Sequence, residues 1–115
     1  MAFAEVQFTA YKNADFTAHF ALRDLAGAAM DITAATFRMG LRRPATKADM
    51  LELTTENGRI EKTAPLTGNL TIKLSTDDMF LLQADEYSHD LIMTLNGVHT
   101  RIWGGWFIVR QGVTS

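Results

Sequence analysis

Polar and apolar residues alternate most regularly between Asp85 and Val113, in two runs that flank Asn96-Gly97. Asn-Gly is the preferred pair for a two-residue type I′ turn, because both residues tolerate positive φ and the turn's twist matches that of paired strands. Taking these residues as the turn predicts one long β-hairpin and fixes its register. Leu95 then faces Val98, Met93 faces Thr100, Leu91 faces Ile102, His89 faces Gly104 and Tyr87 faces Trp106. That set forms one mostly apolar face. The opposite face takes Thr94 with His99, Ile92 with Arg101 and Asp90 with Trp103. A one-residue slip would exchange the two faces, so the pattern itself supports the register.

The same period of two recurs upstream. Ala4, Val6, Phe8 and Ala10 suggest a first strand over roughly 3–11, and Phe16, Ala18, Phe20 and Leu22 a second. Residues 23–32 (RDLAGAAMDI) read as a loop, since Gly27 and the shortness of the stretch weigh against a helix. Ala35, Phe37, Met39 and Leu41 alternate with Thr36, Arg38, Gly40 and Arg42 in a third strand, which Pro44 ends. Leu51, Leu53 and Thr55 lead to a second Asn-Gly at Asn57-Gly58, with Ile60 returning; its register is less clean, because Leu53 would face Lys62. Leu70, Ile72 and Leu74 mark a further strand. Ser75 or Thr76 can then cap a single helical turn near 76–82, with Asp77 and Asp78 at its positive end. Tyr87, just after a loop and at the start of a late strand, has the position of a tyrosine corner, whose hydroxyl bonds back to loop backbone.

Seven or eight short strands with turn signals at regular intervals predict an all-β, immunoglobulin-like antiparallel β-sandwich, a single domain over residues 1–115. Its expected core comprises Leu91, Met93, Leu95 and Ile102 from the hairpin, with Phe16, Phe20, Phe37, Met39, Leu70, Ile72 and Leu74.

Composition narrows the chemistry. A formal net charge of -2 leaves no electrostatic footprint for nucleic acid or an anionic membrane surface. The absence of cysteine removes disulfides, thiolate metal sites and thiol catalysis. No apolar run approaches membrane-spanning length, and the opening MAFAEVQF lacks the basic and apolar regions of a signal peptide, so none is expected. His89 and His99 lie on opposite faces of the hairpin and His19 lies opposite Phe16 and Phe20, an arrangement unsuited to a shared metal. There is no G-x-S-x-G element and no glycine-rich phosphate loop. Neither catalysis nor a cofactor is expected.

The aromatic cluster around Gly104-Gly105 carries the interaction hypothesis. A glycine pair in mid-strand marks a bulge or a close backbone approach. Trp106, set against Tyr87, is expected in the core, and Trp103, set against Asp90, at the surface as the anchor for a partner. Arg101, Phe107 and, on the other reading of its position, Trp106 accompany it as interaction candidates, with the Pro44–Asp49 loop behind them. The last strand and the N-terminal strand carry few charges, which makes both open to cover by a neighbouring chain.

Several stretches together resemble a family. Asp31-Ile32-Thr33-x-Ala35-Thr36-Phe37-Arg38-Met39, Leu53-Thr54-x-Glu56-Asn57-Gly58-Arg59-Ile60, the strand ending Ile72-x-Leu74-Ser75, Tyr87-x-x-Asp90-Leu91 and a closing Gly112-Val113-Thr114 are similar to small tailed-phage and prophage proteins. Those are similar in turn to the immunoglobulin-like N-terminal domains of baseplate and receptor-binding adaptor proteins. The resemblance spans about Phe16 to Ser115; Asp85 stands where its pattern has glycine. It implies a virion structural or adaptor role, assembled in the host cytoplasm in multiple copies among other virion proteins, on the tail, neck or baseplate side, with no catalytic residues. The alternative is a carbohydrate-binding sandwich that holds a surface glycan through exposed aromatics.

Overall fold

The computed structural model describes residues 4–24, 26–43 and 49–112. Two β-sheets pack face to face around one apolar cluster. The strands are β1 (Ala4–Glu5), β2 (Phe8–Tyr11), β3 (Phe16–Ala21), β4 (Thr36–Arg42), β5 (Asp49–Thr54), β6 (Ile60–Ala64), β7 (Asn69–Leu74), β8 (Asp85–Leu95) and β9 (Val98–Arg110). The larger sheet runs β1-β9-β8-β4-β5, with β2 continuing the lane of β1 along β9. The smaller sheet runs β3-β7-β6. The expected sandwich is therefore present. Its pairing is antiparallel except at one margin, where β1 and β2 run parallel to β9. That correction lies beyond strand periodicity, which identifies a strand without naming its neighbour.

The hairpin forms at Asn96-Gly97, with φ of 52° and 78°, and its first four pairs, Leu95–Val98 to Ile92–Arg101, follow the expected register. Then the register shifts. Leu91 pairs with Trp103, so Ile102 is an extra residue on β9, and every pair beyond it moves by one: Asp90–Gly104, His89–Gly105, Ser88–Trp106 and Tyr87–Phe107. A one-residue bulge exchanges the faces of the strand. Trp103, Phe107 and Val109 thereby turn into the core, while Trp106 and Ile108 turn outward.

Core expectations hold for Leu91, Met93, Phe37, Met39, Leu70, Ile72 and Leu74. Leu95, Ile102, Phe16 and Phe20 are only partly buried. Leu95 adjoins the hairpin tip, Ile102 is the bulge residue, and the two phenylalanines stand on β3 at the margin of its sheet.

The second Asn-Gly does not close a hairpin. β5 pairs with β4 in one sheet and β6 with β7 in the other, so residues 55–59 cross between sheets. Leu53 pairs with Met39 and Ile60 with Ile72, which removes the Leu53–Lys62 mismatch. Asn57 builds the crossing: its Oδ1 accepts from the Thr54 and Arg59 amides (3.0 Å each), and its Nδ2 donates to the Glu52 carbonyl (2.9 Å). Residues 23–32 lack a helix among those described. Asp24 Oδ1 accepts from the amides of Ala26 and Ala28 there, and Arg23 bridges to Ala29.

The helical turn stands where expected, at α1 (Thr76–Phe80), with Ser75 as its cap. Ser75 Oγ accepts from the Asp78 amide, and Asp78 returns the bond to the Ser75 amide, a reciprocal capping box. Arg59 Nη2 donates to Asp78 at 2.7 Å. That contact, chiefly, with the Ser75 bonds, outweighs desolvation and holds the Asp78 carboxyl below its ordinary range. Met79 and Leu82 enter the core; Phe80 and Leu81 remain exposed.

Tyr87 is fully buried, and its hydroxyl donates to the Gln83 carbonyl at 2.8 Å. Arg43 fastens the same loop, through Asp85 at 2.8 Å and Gln83 Oε1 at 3.0 Å. Asp85 also accepts from the Glu86 amide. Tyr87→Phe deletes the donor and strands a carbonyl. Urea unfolding is expected to show a loss on the order of 1 kcal/mol.

Candidate functional site

On β4 the outward positions are Thr36, Arg38, Gly40 and Arg42. Gly40 pairs with Asp90, and Asp90 with Gly104, so one row across three strands has a carboxylate between two glycines. The adjacent rows place Arg38, Ile92 and Arg101 on one side and Arg42, Ser88 and Trp106 on the other. The missing side chains leave a depression of about 310 Å³, rimmed by Arg38, Arg42 and Arg101. Arg101 bends over the floor, because a Cβ at Gly104 would overlap its guanidinium. Its Nε stands 3.5 Å from Asp90, and Arg38 Nε stands 3.2 Å from Glu52. Both pairs are well exposed and contribute little to stability. Their side chains can exchange partners when another surface arrives.

Below this depression the outer face becomes apolar. Trp106 is 45% exposed and Tyr11 is 48% exposed, with the half-buried Ile108 between them. Ile108 pairs with Thr9 and Glu86, and Tyr11 with Arg110, so these side chains share one surface. A second depression, of about 620 Å³, opens here beside Trp106, Glu86, Arg110 and Gln111. The sheet thus presents two aromatics and an isoleucine rimmed by Arg42, Arg101 and Arg110.

The bulge at Ile102 reverses the expected roles of the two tryptophans. Trp103 is 3% exposed and packs on Phe20 with ring centroids 4.4 Å apart, so it is no surface anchor. Trp106, expected in the core against Tyr87, is the outward one. Phe107 is fully buried, between Phe8 and Phe16 at 5.7 and 5.2 Å, and leaves the set of interaction candidates. Arg101 remains at the surface. The Pro44–Asp49 connection falls, except for Asp49, outside the described residues. Missed from the sequence were Arg38 and Arg42, whereas Tyr11 and Ile108 belong to the two low-charge strands expected to be covered by a neighbour. The alternation Arg38-x-Gly40-x-Arg42 was a usable signal: a glycine between two arginines on the polar side of a strand leaves a gap.

His89 lies in the next row, between Leu41 and Gly105, and faces the core. It is 4% exposed, and its Nε2 donates to the Val6 carbonyl at 2.8 Å. The bond reaches the break between β1 and β2, where the Val6 amide donates to the Gly104 carbonyl. Gly105 makes this approach possible, because a Cβ there would overlap Val6. Burial pushes the His89 imidazole below its ordinary 6.5, against the opposing pull of the Val6 and Trp106 carbonyls. Nδ1 makes no hydrogen bond of good geometry. The folded state therefore binds fewer protons here than the unfolded chain. Stability from this group is complete above pH 6.5 and declines as pH falls from 6.5 toward the depressed folded value. His89→Gln is expected to flatten that part of the stability profile, measured by urea unfolding at a series of pH values.

His19 bonds Thr71 on the outer side of the small sheet, and His99 bonds Thr94 near the hairpin tip. Among the described residues no group of three His, Cys, Asp or Glu is placed to hold a metal ion. No helix among them is long and apolar enough to cross a membrane. The sequence matches no protein-family model, and no curated protein matches it.

Proposed function

We propose that this chain is a non-enzymatic structural or adaptor module of a tailed-phage or phage-like particle, which docks on other virion proteins through the outer face of its larger sheet. The observation that carries the docking reading is the exposure of Trp106 and Tyr11 on one sheet face, with Ile108 between them and Arg110 at the adjoining depression. Tryptophan, tyrosine and arginine are the residues that dominate binding energy at protein interfaces, and they act best when a surrounding rim excludes water. The aromatics stand on paired strands, which limits the ordering cost of association. The particle itself, and the preference for tail, neck or baseplate, rest on the resemblance carried by the strand and turn motifs. Repetition in a symmetric assembly would strengthen a modest contact through effective concentration.

A second reading has its own observation. Trp106 lies beside Glu86, Arg110 and Gln111 at the larger depression, an apolar ring edged by polar groups that also suits a sugar. One pair of assays separates the two. Particles carrying Trp106→Ala are expected to lose this protein during purification, while the isolated variant keeps its fold. Retention at the wild-type level, together with Trp106-dependent glycan binding by the isolated protein, would replace the adaptor reading with glycan recognition.

A further inference from the structure

Among the described residues, each sheet ends in strands whose outer backbone groups have no neighbouring strand, and most of these margins are blunted. β5 carries the charged Glu52. β6 carries Glu61 and Lys62, shifts register between Glu61 and Ala64, and runs into Pro65. The β1–β2 lane carries Glu5 and breaks at Val6, whose amide and carbonyl are both engaged. Charges, prolines and bulges are the usual means by which sheets resist unwanted pairing.

β3 has none of them. Phe16-Thr17-Ala18-His19-Phe20-Ala21 contains no charged residue and no proline, and it pairs with β7 at six successive positions without a shift. Phe16 and Phe20 point inward, against Phe8, Phe107 and Trp103, yet remain only partly buried. A further strand at this edge would cover both rings.

We propose that β3 is a self-pairing edge: two copies of this chain join antiparallel through Phe16–Phe20 about a two-fold axis at Ala18, making one six-stranded sheet from two small ones. The strand's own pattern selects this occupant. Residues directly opposite in an antiparallel pair share a face, so identical strands must pair positions of equal parity. Centring on Ala18 sets Phe16 against Phe20 of the second copy on the inner side, and Thr17 against His19 of the second copy on the outer side. The first is an aromatic cross-strand pair, the second a hydrogen-bonding one, and alanine at the axis lets the backbones approach. With no charge on the strand, the copies do not repel each other. The contact is small. The paired stretch spans less than about 20 Å, so the pair falls short of the roughly 800 Å² per partner of a standard stable interface. A dissociation constant on the order of 0.1–1 mM is expected for the free protein. The edge belongs to the smaller sheet, away from Trp106, and is independent of the docking face.

The test is sedimentation of the full chain at concentrations from about tenfold below to about tenfold above that constant, with two charge-bearing variants, Thr17→Lys/His19→Lys and Thr17→Glu/His19→Glu. Wild type is expected to pass from monomer to dimer. Each variant should stay monomeric, and an equimolar mixture should dimerise at least as well as wild type, because lysines then face glutamates. Both variants lose the His19–Thr71 hydrogen bond, so mere damage to the fold would not be repaired by mixing. A wild type that stays monomeric throughout, variants that dimerise like wild type, or a mixture that stays monomeric would each overturn the proposal. So would protection of the β3 amides that develops only when a different particle protein is added.

Discussion

Replacement of Phe107 by alanine is expected to lower the unfolding free energy by about 3–5 kcal/mol, the range for a buried phenylalanine that leaves a cavity. The ring is fully buried and stands where the sheets meet: Phe8 and Phe16 pack on it from β2 and β3, and His89 from β8. These neighbours come from three strands fixed by their own ladders, so the space cannot close by the movement of one side chain. Against a total stability of roughly 5–15 kcal/mol the loss is large. Thermal unfolding should fall by about 10 °C or more. A Phe107→Leu variant keeps part of the volume and should lie between alanine and wild type.

Gly105→Ala is expected to cost about 2–4 kcal/mol, by a mechanism confined to one margin of the sheet. Gly105 has a φ of 153°, and the carbon added there would overlap the backbone of Val6, which cannot yield as a flexible side chain does. Yielding would break the His89–Val6 and Val6–Gly104 hydrogen bonds together. Amide exchange should therefore accelerate across β1 and β2 before the rest of the protein. The neighbouring Gly104→Ala is the control. Its added carbon meets only the mobile end of Arg101, so a change within about 1 kcal/mol is expected, and the amides of β1 and β2 should stay protected.

Features written in local chemistry were legible in the sequence. The Asn96-Gly97 turn, the Ser75 cap with Asp78, the buried Tyr87 with its bond to the Gln83 carbonyl, and the strand faces of β4 and β7 each follow from a few neighbouring residues. The misplaced features depend on partners far along the chain. Nothing around Ile102 marks a bulge, whereas Gly104-Gly105 does attract that reading, and the true shift two residues earlier exchanged Trp103 with Trp106. The glycine pair has two other roles, clearing space for Arg101 at Gly104 and for Val6 at Gly105. The crossing at Asn57-Gly58 was detectable from one mismatch, since an apolar Leu53 opposite Lys62 is an improbable hairpin pair and a sensible pair of strands in separate sheets.

This redistribution bears on the face proposed for docking. Exposed aromatics on a sheet face invite non-specific association unless they are covered in use, and in the proposed role the cover is another protein of the particle. Leu66, Phe80 and Leu81 are also exposed, but they lie on a 3-10 turn and at the end of α1, away from the larger sheet's outer face. They serve as internal references for a side-chain footprint. Hydroxyl-radical labelling of the protein, free and within purified particles, tests the account most directly. Labelling of Trp106 and Tyr11 is predicted to fall severalfold on assembly while Phe80 and Leu81 continue to react. Equal labelling of Trp106 in both states would contradict it.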